Sequence, residues 1–400
     1  MKKSKKKILV MTSAYKRRQD DEQFNEYFVV ELTKRLSARF DISVLAPSWP
    51  SAKDEEVLDG LRIYRHKQYI SQKTGIAYKN GMISNLRENW RLARVIPFYI
   101  LFQFISLVRI VRKENVQIIH AHWIIPQGLV AVIYKMICNR KIKILATIHG
   151  SDFWSFNNPF GKILKKFIIS RVDCLTVVSK ALETEVRKMV PRDNIFVCPM
   201  GIDTNQFSPE NKDLSLKKEL DIVGEFLLFV GSCVEQKGIR FLVEAMTEIC
   251  RDYPRCKLVV IGSGGLLEEM KIMARRADLE KNICFLGYVE HEKLPRYFAT
   301  ADIFILPSLS EGYSLVVREA LSSGTPAIVT DLPVFAADQA KKLLEIVPPQ
   351  DPHGIAEKVK YMLQNMEKYK KETEHMRQFA VENYDWIKVE KNYAGLLDSI

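Results

Sequence analysis

The sequence predicts an α/β protein of two domains, each with a parallel sheet. The chain has 400 residues, which is long for one domain and comfortable for two, and its 47% hydrophobic and 27% charged residues are an ordinary globular composition. Residues 303–331 have the pattern of a strand, a loop, a helix and a second strand, so the two strands are expected to be parallel neighbours. A fresh apolar run at residues 226–230 restarts the alternation of strands and helices, which indicates a second domain.

The first predicted domain covers residues 1–199. An amphipathic helix is predicted at residues 21–36, and a polar loop is predicted at residues 71–81. The predicted strands are the apolar runs at residues 5–11, 42–46, 60–67, 116–120, 142–148, 174–178 and 195–199.

One apolar run of the first domain, residues 95–108, is flanked by the basic residues Arg91, Arg94, Arg109, Arg112 and Lys113. The run is too short to span about 30 Å of hydrocarbon as a helix. We therefore predict a helix buried in the domain. A segment that lies at a bilayer surface is the alternative.

The formal net charge of +12 is unevenly distributed. Residues 1–199 hold 35 basic and 17 acidic residues, whereas residues 200–400 hold 25 and 31, which gives +18 and −6. A basic domain of this kind favours an anionic membrane surface as a partner. The alternative is a basic domain that is simply soluble, and we do not expect a nucleic-acid partner.

The cysteines and the first residues of the chain indicate the compartment. The seven cysteines are scattered without a C-x2-C pair, so neither a disulfide framework nor a zinc site is indicated. The lysines of residues 2–7 precede an apolar run that covers only residues 8–11, far short of a signal peptide. We expect a cytoplasmic protein without a metal site, with peripheral attachment to the inner face of the membrane as a further possibility.

The strand–loop–helix unit of the second domain carries a candidate ligand site. Glu311 lies in its loop, and Glu319 lies eight positions further along the helix. The N–H groups of Tyr313, Ser314 and Leu315 lack helical partners and can bind phosphate, while carboxylates accept hydrogen bonds from hydroxyls. A nucleotide-sugar offers both kinds of group. The alternative is that neither carboxylate binds a ligand, Glu311 being an ordinary acidic residue of the loop and Glu319 a solvated residue of the helix.

The letters PSLSEGYSLVVREALSSGTP resemble the E-x7-E signature of the retaining glycosyltransferase family 4, with Ser314 where the family mostly has glycine. The resemblance implies the GT-B architecture, in which two Rossmann-like domains with parallel sheets face an interdomain cleft. It implies a hexosyltransferase (EC 2.4) that uses a UDP- or GDP-linked sugar and needs no metal or other cofactor. The acceptor would be a glycan or a lipid-linked molecule of cell-envelope polysaccharide or glycolipid synthesis. Glu311 would then hold sugar hydroxyls, and Glu319 would hold ribose hydroxyls.

Further donor residues follow from the same resemblance. The letters GSCVEQKG resemble the family's GRL-x3-KG, so Lys237 corresponds to the diphosphate-binding lysine and Ser232 replaces the usual arginine. Diphosphate binding is then expected to be either weaker or completed from elsewhere, with Arg240 and Arg318 as the candidates. The other donor residues implied are Gly262, in the glycine-rich loop after residues 257–261, and Tyr288 and Val289, which would bracket the base through backbone contacts.

The acceptor side of the site is indicated by the letters HGSDFW, which resemble the family's T-x-HG-x-D. His149 would reach a sugar hydroxyl and line the reaction centre. Asp152 and, from the preceding predicted loop, His122 are the other acceptor-side residues. For His120 and His122 the alternative is that they only order their loop.

Two resemblances mark the domain boundaries. The letters PMGIDTNQFSP resemble the family's crossover segment, so the second domain is placed at residues 200–380. The letters NYDW resemble the start of a terminal helix, residues 381–400, that packs back on the first domain. The elements predicted between them are strands at residues 226–230, 257–261, 284–286, 303–306 and 327–329, and a helix at residues 356–376.

The predicted reaction is front-face attack through an oxocarbenium-like state, with His149, Lys237 and Glu311 as the catalytic residues. A double displacement would need a second carboxylate about 5 Å from the first. Two other functions share these features. One is a GT-B epimerase or sugar phosphorylase. The other is a non-catalytic nucleotide-sugar binder, which is considered because Ser232 replaces the usual donor-binding arginine.

Overall fold

The computed structural model describes two compact units. The described residues are 5–13, 15, 27–49, 52–69, 76–77, 82, 85–86, 89–155 and 157–400. The first unit holds the described residues up to Met200 together with Val389–Ile400, and the second unit holds Gly201–Lys388. The first part of the helix predicted at residues 21–36 and most of the loop predicted at residues 71–81 lie outside the described residues.

The first unit is built on one sheet. Its strands are β1 (Lys7–Met11), β2 (Asp41–Pro47), β3 (Glu55–Leu58), β4 (Leu61–His66), β5 (Ile118–His122), β6 (Lys143–Ile148), β7 (Cys174–Val177) and β8 (Ile195–Val197). The order across the sheet is β3-β4-β2-β1-β5-β6-β7-β8, and every neighbouring pair is parallel except β3 with β4. Strands β1, β5, β6 and β7 form the buried centre, as expected for a parallel sheet covered on both faces.

Helices connect these strands. They are α1 (Tyr27–Ser37), α2 (Ile96–Glu114), α3 (Leu129–Ile137), α4 (Ser151–Trp154), α5 (Pro159–Ile169) and α6 (Lys180–Met189). The apolar positions of α1 recur at helical spacing and are the buried ones, so this helix covers the sheet with one face.

Helix α2 is longer than the sequence predicted. A 3-10 turn at Trp90–Val95 continues directly into α2, which gives a helical segment of 25 residues. By length and composition it is the one described helix that could cross a membrane, and 33% of its most apolar stretch is buried. The expected length was wrong because the segment begins at Trp90 and continues past position 108 to Glu114, through charged residues and the buried Ile110 and Val111.

Polar contacts hold the inner face of α2 against β4. Glu114 accepts a hydrogen bond from the hydroxyl of Tyr64, and Gln103 lies 3.4 Å from Nε2 of His66. The prediction of a buried helix therefore holds for one face of α2, and the opposite face is exposed.

The second unit is built on a separate parallel sheet. Its strands are β9 (Phe226–Val230), β10 (Lys257–Ile261), β11 (Ile283–Gly287), β12 (Ile303–Leu306), β13 (Ala327–Thr330) and β14 (Leu344–Val347). Their order is β11-β10-β9-β12-β13-β14, with parallel pairing throughout. The α/β fold class that the sequence predicts is therefore confirmed.

The second half of the chain contains nine described α-helices, and most of the last one belongs to the first unit. They are α7 (Leu214–Glu219), α8 (Ile239–Asp252), α9 (Leu267–Arg276), α10 (Leu294–Thr300), α11 (Leu315–Ser322), α12 (Pro333–Ala336), α13 (Pro352–Gln364), α14 (Met366–Tyr384) and α15 (Trp386–Ser399). The single helix predicted at residues 356–376 is two helices, because Asn365 has non-helical dihedral angles between them. From Val389 onward α15 belongs to the first unit, where the hydroxyl of Tyr393 donates to the carbonyl of Cys198 at 3.1 Å.

Candidate active site

The sheet of the second unit changes direction between β9 and β12. Strand β9 leads outward to β10 and β11, whereas β12 leads to β13 and β14 on the other side. The loops after β9 and β12 therefore lie side by side at the carboxyl edge, where parallel α/β sheets bind ligands. The first of these loops carries Lys237, and the second carries Glu311.

Lys237 and Glu311 form an ion pair across the two loops. Nζ of Lys237 lies 2.7 Å from Oε1 of Glu311, and the hydroxyl of Ser308 donates to the same oxygen at 2.6 Å. The exposed fraction is 6% for the glutamate side chain and 23% for the lysine side chain. The predicted diphosphate-binding and sugar-binding groups are therefore adjacent, and the lysine is the more accessible of the two.

Gly238 lets these two loops meet. It has φ +63°, and a Cβ at this position would lie 1.9 Å from the carbonyl oxygen of Pro307. The N–H of Leu309 donates to the carbonyl of Gln236 at 2.8 Å, so the loops are also joined by their main chains. Only glycine accommodates both the left-handed conformation and the close approach.

The amino end of α11 follows the Glu311 loop directly. Its N-cap residue, Ser314, has φ +67°, a left-handed conformation that is strained for serine. The hydroxyl of Ser314 is buried without a hydrogen-bond partner among the described residues. The hydrogen bonds of the described chain include none from the backbone N–H groups of Tyr313, Ser314 and Leu315, so these groups are available to an anion.

Glu319 is almost fully buried in α11, so it is not the solvated helix residue of the alternative interpretation. Its Oε1 lies 2.9 Å from Nε2 of His291. Its Oε2 is buried and has no hydrogen-bond partner in the described part of the chain. A buried oxygen of this kind is costly until a donor meets it, so it suits a ligand hydroxyl.

Sequence analysis did not identify His291 or Ser308 as parts of this site. His291 lies close after Tyr288 and Val289, which was a signal that it reaches the same edge. The spacing of positions 291 and 319 along the chain does not predict their contact, because His291 lies in a turn and Glu319 lies in a separate helix.

The two arginines considered as substitutes for the usual donor arginine already have partners. Arg318 is buried, pairs with the carboxylate of Asp338, donates to the carbonyl of Tyr313 and lies 4.2 Å from the Tyr313 ring centroid. Arg240 pairs with Glu269. Arg318 is thus committed to structural contacts in the core, whereas the ion pair of Arg240 lies at the surface, and its part in the diphosphate site stays a prediction.

The other predicted donor residues lie at the same carboxyl edge. Ser232 is exposed in the loop after β9. Gly262 follows β10 with φ +138°, and a Cβ there would lie 1.9 Å from the carbonyl oxygen of Gly231. Tyr288 and Val289 follow β11 and are half-buried.

Three histidines meet at the carboxyl ends of β5 and β6 in the first unit. Nδ1 of His122 lies 3.0 Å from Nε2 of His149, and the two rings stack with centroids 5.2 Å apart. Nε2 of His120 lies 2.8 Å from the hydroxyl of Thr147. The ring of Trp123 packs against His149 with centroids 4.7 Å apart. The two loops that the sequence predicts at this edge are therefore in direct contact.

Burial keeps these histidines neutral. It lowers the pKa of His120 and that of His149 to about 3, and in His149 the neighbouring His120 lowers the pKa further. Burial also lowers the pKa of His122 well below its usual value. Near neutral pH, His149 can therefore exchange hydrogen bonds with a sugar hydroxyl, but it carries no charge.

Asp152 holds the two histidine loops together. One of its oxygens accepts the N–H of Ile124 at 2.8 Å, and the other accepts the N–H groups of His149 and Gly150 at 3.1 Å. Burial raises the pKa of Asp152 to about 6, against the opposing effect of these hydrogen bonds. Since this carboxylate is buried and both oxygens accept hydrogen bonds, it fixes the main chain at His149, and its predicted acceptor-side role stays a prediction.

One group of described residues could hold a metal ion, and it contains none of the predicted site residues. It consists of Glu248, His353 and Glu357 on α8 and α13. The ammonium of Lys360 already lies 2.9 Å from an oxygen of Glu248. That the reaction needs no metal stays a prediction.

Family comparisons match both units. Residues 26–206 match the family described as Glycosyltransferase Family 4, and residues 214–379 match the family described as Glycosyl transferases group 1. This chain is a family 4 glycosyltransferase. The predictions of this family and of a hexosyltransferase are therefore confirmed. The second match includes Lys237, Glu311 and Glu319, and the first includes His149.

Named relatives and solved structures agree with this family. The glycosyltransferase is 26% identical over 306 residues to N-acetyl-alpha-D-glucosaminyl L-malate synthase of Bacillus anthracis, which covers 74% of this chain and 78% of the relative. It is 28% identical over 241 residues to UDP-Gal:alpha-D-GlcNAc-diphosphoundecaprenol alpha-1,3-galactosyltransferase of Escherichia coli, which covers 57% and 61%. Sucrose-phosphate synthase from Thermosynechococcus elongatus superposes with a TM-score of 0.80 over 98% of both chains at 19% identity, which confirms the GT-B fold.

Proposed function

We propose that this glycosyltransferase transfers a hexose from a nucleoside-diphosphate sugar with retention of anomeric configuration. The observation that carries the proposal is the contact of Lys237 with Glu311 where the sheet of the second unit changes direction. It combines a cation for the departing diphosphate with a carboxylate for sugar hydroxyls, beside the amino end of α11.

Each part of this site has one task in the proposal. Lys237 and the amino end of α11 bind the diphosphate, because both carry positive charge and N–H donors. Glu311 binds sugar hydroxyls, and Oε2 of Glu319 binds the ribose. No metal is required, since the lysine and the helix balance the charge of the leaving group. As that charge grows, Lys237 exchanges Glu311 for a phosphate oxygen.

Front-face attack is proposed as the route to retention, because Glu311 is better suited to binding than to the nucleophilic attack that a double displacement needs. Its Oε1 is held by Lys237 and by Ser308, which lowers the availability of that oxygen for a bond to carbon. The acceptor hydroxyl then attacks from the face that the diphosphate leaves. His149, as a neutral imidazole, exchanges a hydrogen bond with a sugar hydroxyl.

We propose a uridine donor and a glycan or lipid-linked acceptor of cell-envelope synthesis. The support is the Escherichia coli relative, whose name specifies UDP-Gal as the donor and a diphosphoundecaprenol-linked acceptor. A GDP-linked donor is the alternative, and the panel described below distinguishes the two.

The acceptor is proposed to be reached at the cytoplasmic face of a membrane. Helix α2 presents Leu101 and Ile105, 49% and 44% exposed, one turn apart on its outer face. Exposed Arg94, Arg109 and Arg112 lie toward the two ends of this stripe. An apolar stripe with basic ends is typical of a helix that lies on anionic lipid. Because the inner face is bonded to β4, the helix is proposed to lie on the bilayer and not to cross it.

A panel of nucleotide-sugars tests the proposed function. UDP-glucose, UDP-galactose, UDP-N-acetylglucosamine and GDP-mannose are each added in a thermal-shift assay, since a donor at 100 times its Kd stabilises the fold by about 2.7 kcal/mol. The donor that binds is then incubated with a membrane lipid extract, and proton NMR of the fresh product gives its anomeric configuration. Stabilisation and a retained product support the proposal. No stabilisation by any donor, or an inverted product, contradicts it.

A further inference from the structure

The contact between His291 and Glu319 joins two parts of the second unit that are remote in sequence. His291 begins the 3-10 turn His291–Lys293 between β11 and α10, whereas Glu319 lies in α11. Nε2 of the histidine is 2.9 Å from Oε1 of the glutamate. The other oxygen, Oε2, is buried and unpaired within the described chain.

The two oxygens of Glu319 therefore differ in hydrogen bonding, since only Oε1 has a partner among the described residues. A carboxylate only accepts hydrogen bonds, so Nε2 of His291 carries the hydrogen in this contact. Fixing one oxygen also fixes the direction of the other, because the two belong to one planar group. The imidazole is itself supported, since its centroid lies 5.2 Å from that of the fully buried ring of Phe207.

We propose that His291 is a positioning residue that sets the preference of this site for ribonucleotides. By holding Oε1 of Glu319, it directs Oε2 toward the ribose hydroxyls of the donor. This inference rests on the proposed function, because it takes Glu319 as the residue that binds the ribose.

Positioning and general structural support have different consequences for binding. If His291 only supported its loop, its loss would weaken every nucleotide by the same factor. If it directs the carboxylate, its loss weakens nucleotides that carry ribose hydroxyls, because a 2′,3′-dideoxy nucleotide has no hydroxyl to offer to Oε2. The ratio of the two affinities therefore reports the positioning role alone.

Isothermal titration calorimetry with UDP and 2′,3′-dideoxy-UDP measures this ratio. The wild-type protein should bind UDP roughly 10- to 100-fold more tightly, the range for a hydrogen bond to a charged group. Glu319→Ala should reduce the ratio to about one, and His291→Leu should reduce it to within about threefold of that value. His291→Gln, whose amide nitrogen can take the place of Nε2, should restore most of it. GDP and 2′,3′-dideoxy-GDP are titrated in parallel to cover a guanosine donor.

A matched control is available in the same unit. His375 lies 3.0 Å from Glu372 in an exposed contact on α14, and His375→Leu should leave the ratio unchanged. His291→Asn is a second variant in case His291→Leu does not fold, because its shorter amide stays polar but falls short of Glu319. A ratio that stays at the wild-type value in His291→Leu and in His291→Asn, with a loss in Glu319→Ala, overturns the positioning role alone. A wild-type protein that binds neither UDP nor GDP, or that shows no preference for the ribose form, overturns the proposed function as well.

Discussion

Lys237 and Glu311 lie 2.7 Å apart on two loops that meet where the sheet of the second unit changes direction. Each compensates the charge of the other in a site that is largely withdrawn from water, where an unpaired charge would be costly. The pair therefore keeps the site stable until a substrate arrives. A donor with phosphate and hydroxyl groups offers each member a new partner.

Replacing Ser314 by glycine should stabilise the protein. The substitution removes a serine in the left-handed conformation and a buried hydroxyl without a described partner. The greater conformational entropy of glycine in the unfolded chain offsets part of this stabilisation. We expect a net gain of about 1 kcal/mol, which corresponds to a rise in Tm of about 2–4 °C for a unit of this size. Differential scanning calorimetry measures the change.

Ser323→Gly is the matched control for this prediction. The hydroxyl of Ser323 is also buried without a described partner, but its φ of −79° suits any residue. This variant should gain nothing from relief of backbone strain. Equal Tm changes in the two variants, or a lower Tm in Ser314→Gly, would show that the conformation of Ser314 is not strained.

The first unit should lose stability as the pH falls below about 6.5. Burial lowers the pKa of His66 to about 4, and it lowers those of His120 and His149 to about 3. The unfolded chain binds protons on these histidines between about pH 6.5 and 4, whereas the folded unit does not. Their contribution to stability is therefore complete above about pH 6.5 and is lost on acidification, by at most about 1.4 kcal/mol per pH unit for each histidine.

Asp152 opposes this trend, because its pKa is raised to about 6 in the folded state and its protonation relieves a burial cost. One such carboxyl does not offset several histidines. Hydrogen exchange at about pH 7.5 and about pH 5, corrected for the intrinsic exchange rate at each pH, should show lower protection at low pH in β5 and β6, with β9 and β12 as the internal reference. His120→Gln, which removes one of these groups, should reduce the difference. Equal protection of β5 and β6 at the two pH values would contradict the prediction.

Anionic liposomes should bind the protein at low salt and release it at high salt. Debye screening shortens from about 10 Å at 0.1 M to about 3 Å near 1 M, which weakens attraction between surface arginines and lipid headgroups. Reversing Arg91, Arg94 and Arg112 to Glu should reduce sedimentation with the liposomes. The fold should survive, because exposed charges contribute little to stability.

The same change of charge in the second unit is the control for this experiment. Arg251, Arg275 and Arg276 are exposed, and their reversal to Glu should leave sedimentation close to wild type. Equal loss in the two triple variants would indicate attraction by net charge alone. Equal binding to neutral and anionic liposomes, or binding to neither, would argue against a membrane-docking role for α2.

Much of the fold was predictable because buried parallel strands leave a strong local pattern. The apolar runs at residues 226–230 and 257–261 coincide with β9 and β10, and the unit at residues 303–331 contains β12, α11 and β13. The full length of α2 was not predictable from apolarity, because its last turn is polar and is held by contacts with β4. The break at Asn365 was likewise not predictable, because the pattern of apolar residues is helical on both sides of it.

The candidate site was predictable where one motif carries both the position and the chemistry, as for Lys237, Glu311 and Glu319. Contacts between segments were not predictable. Arg318 has the right charge to bind a diphosphate, but Asp338 and the ring of Tyr313 hold it in the core. Such competition between partners depends on three-dimensional packing, which spacing along the chain does not record.

The turnover of Lys237→Ala at saturating donor tests the central claim most directly. Sugar transfer from the nucleotide-sugar that binds in the panel is measured well below the Tm of each variant, with Lys271→Ala as the control for an exposed lysine paired at the surface. Because Lys237 faces charge that grows as the diphosphate departs, its loss should lower kcat by about a hundredfold or more. The control should stay within about twofold of wild type. A Lys237→Ala enzyme within a few-fold of wild-type kcat would contradict the role of the Lys237–Glu311 pair in catalysis.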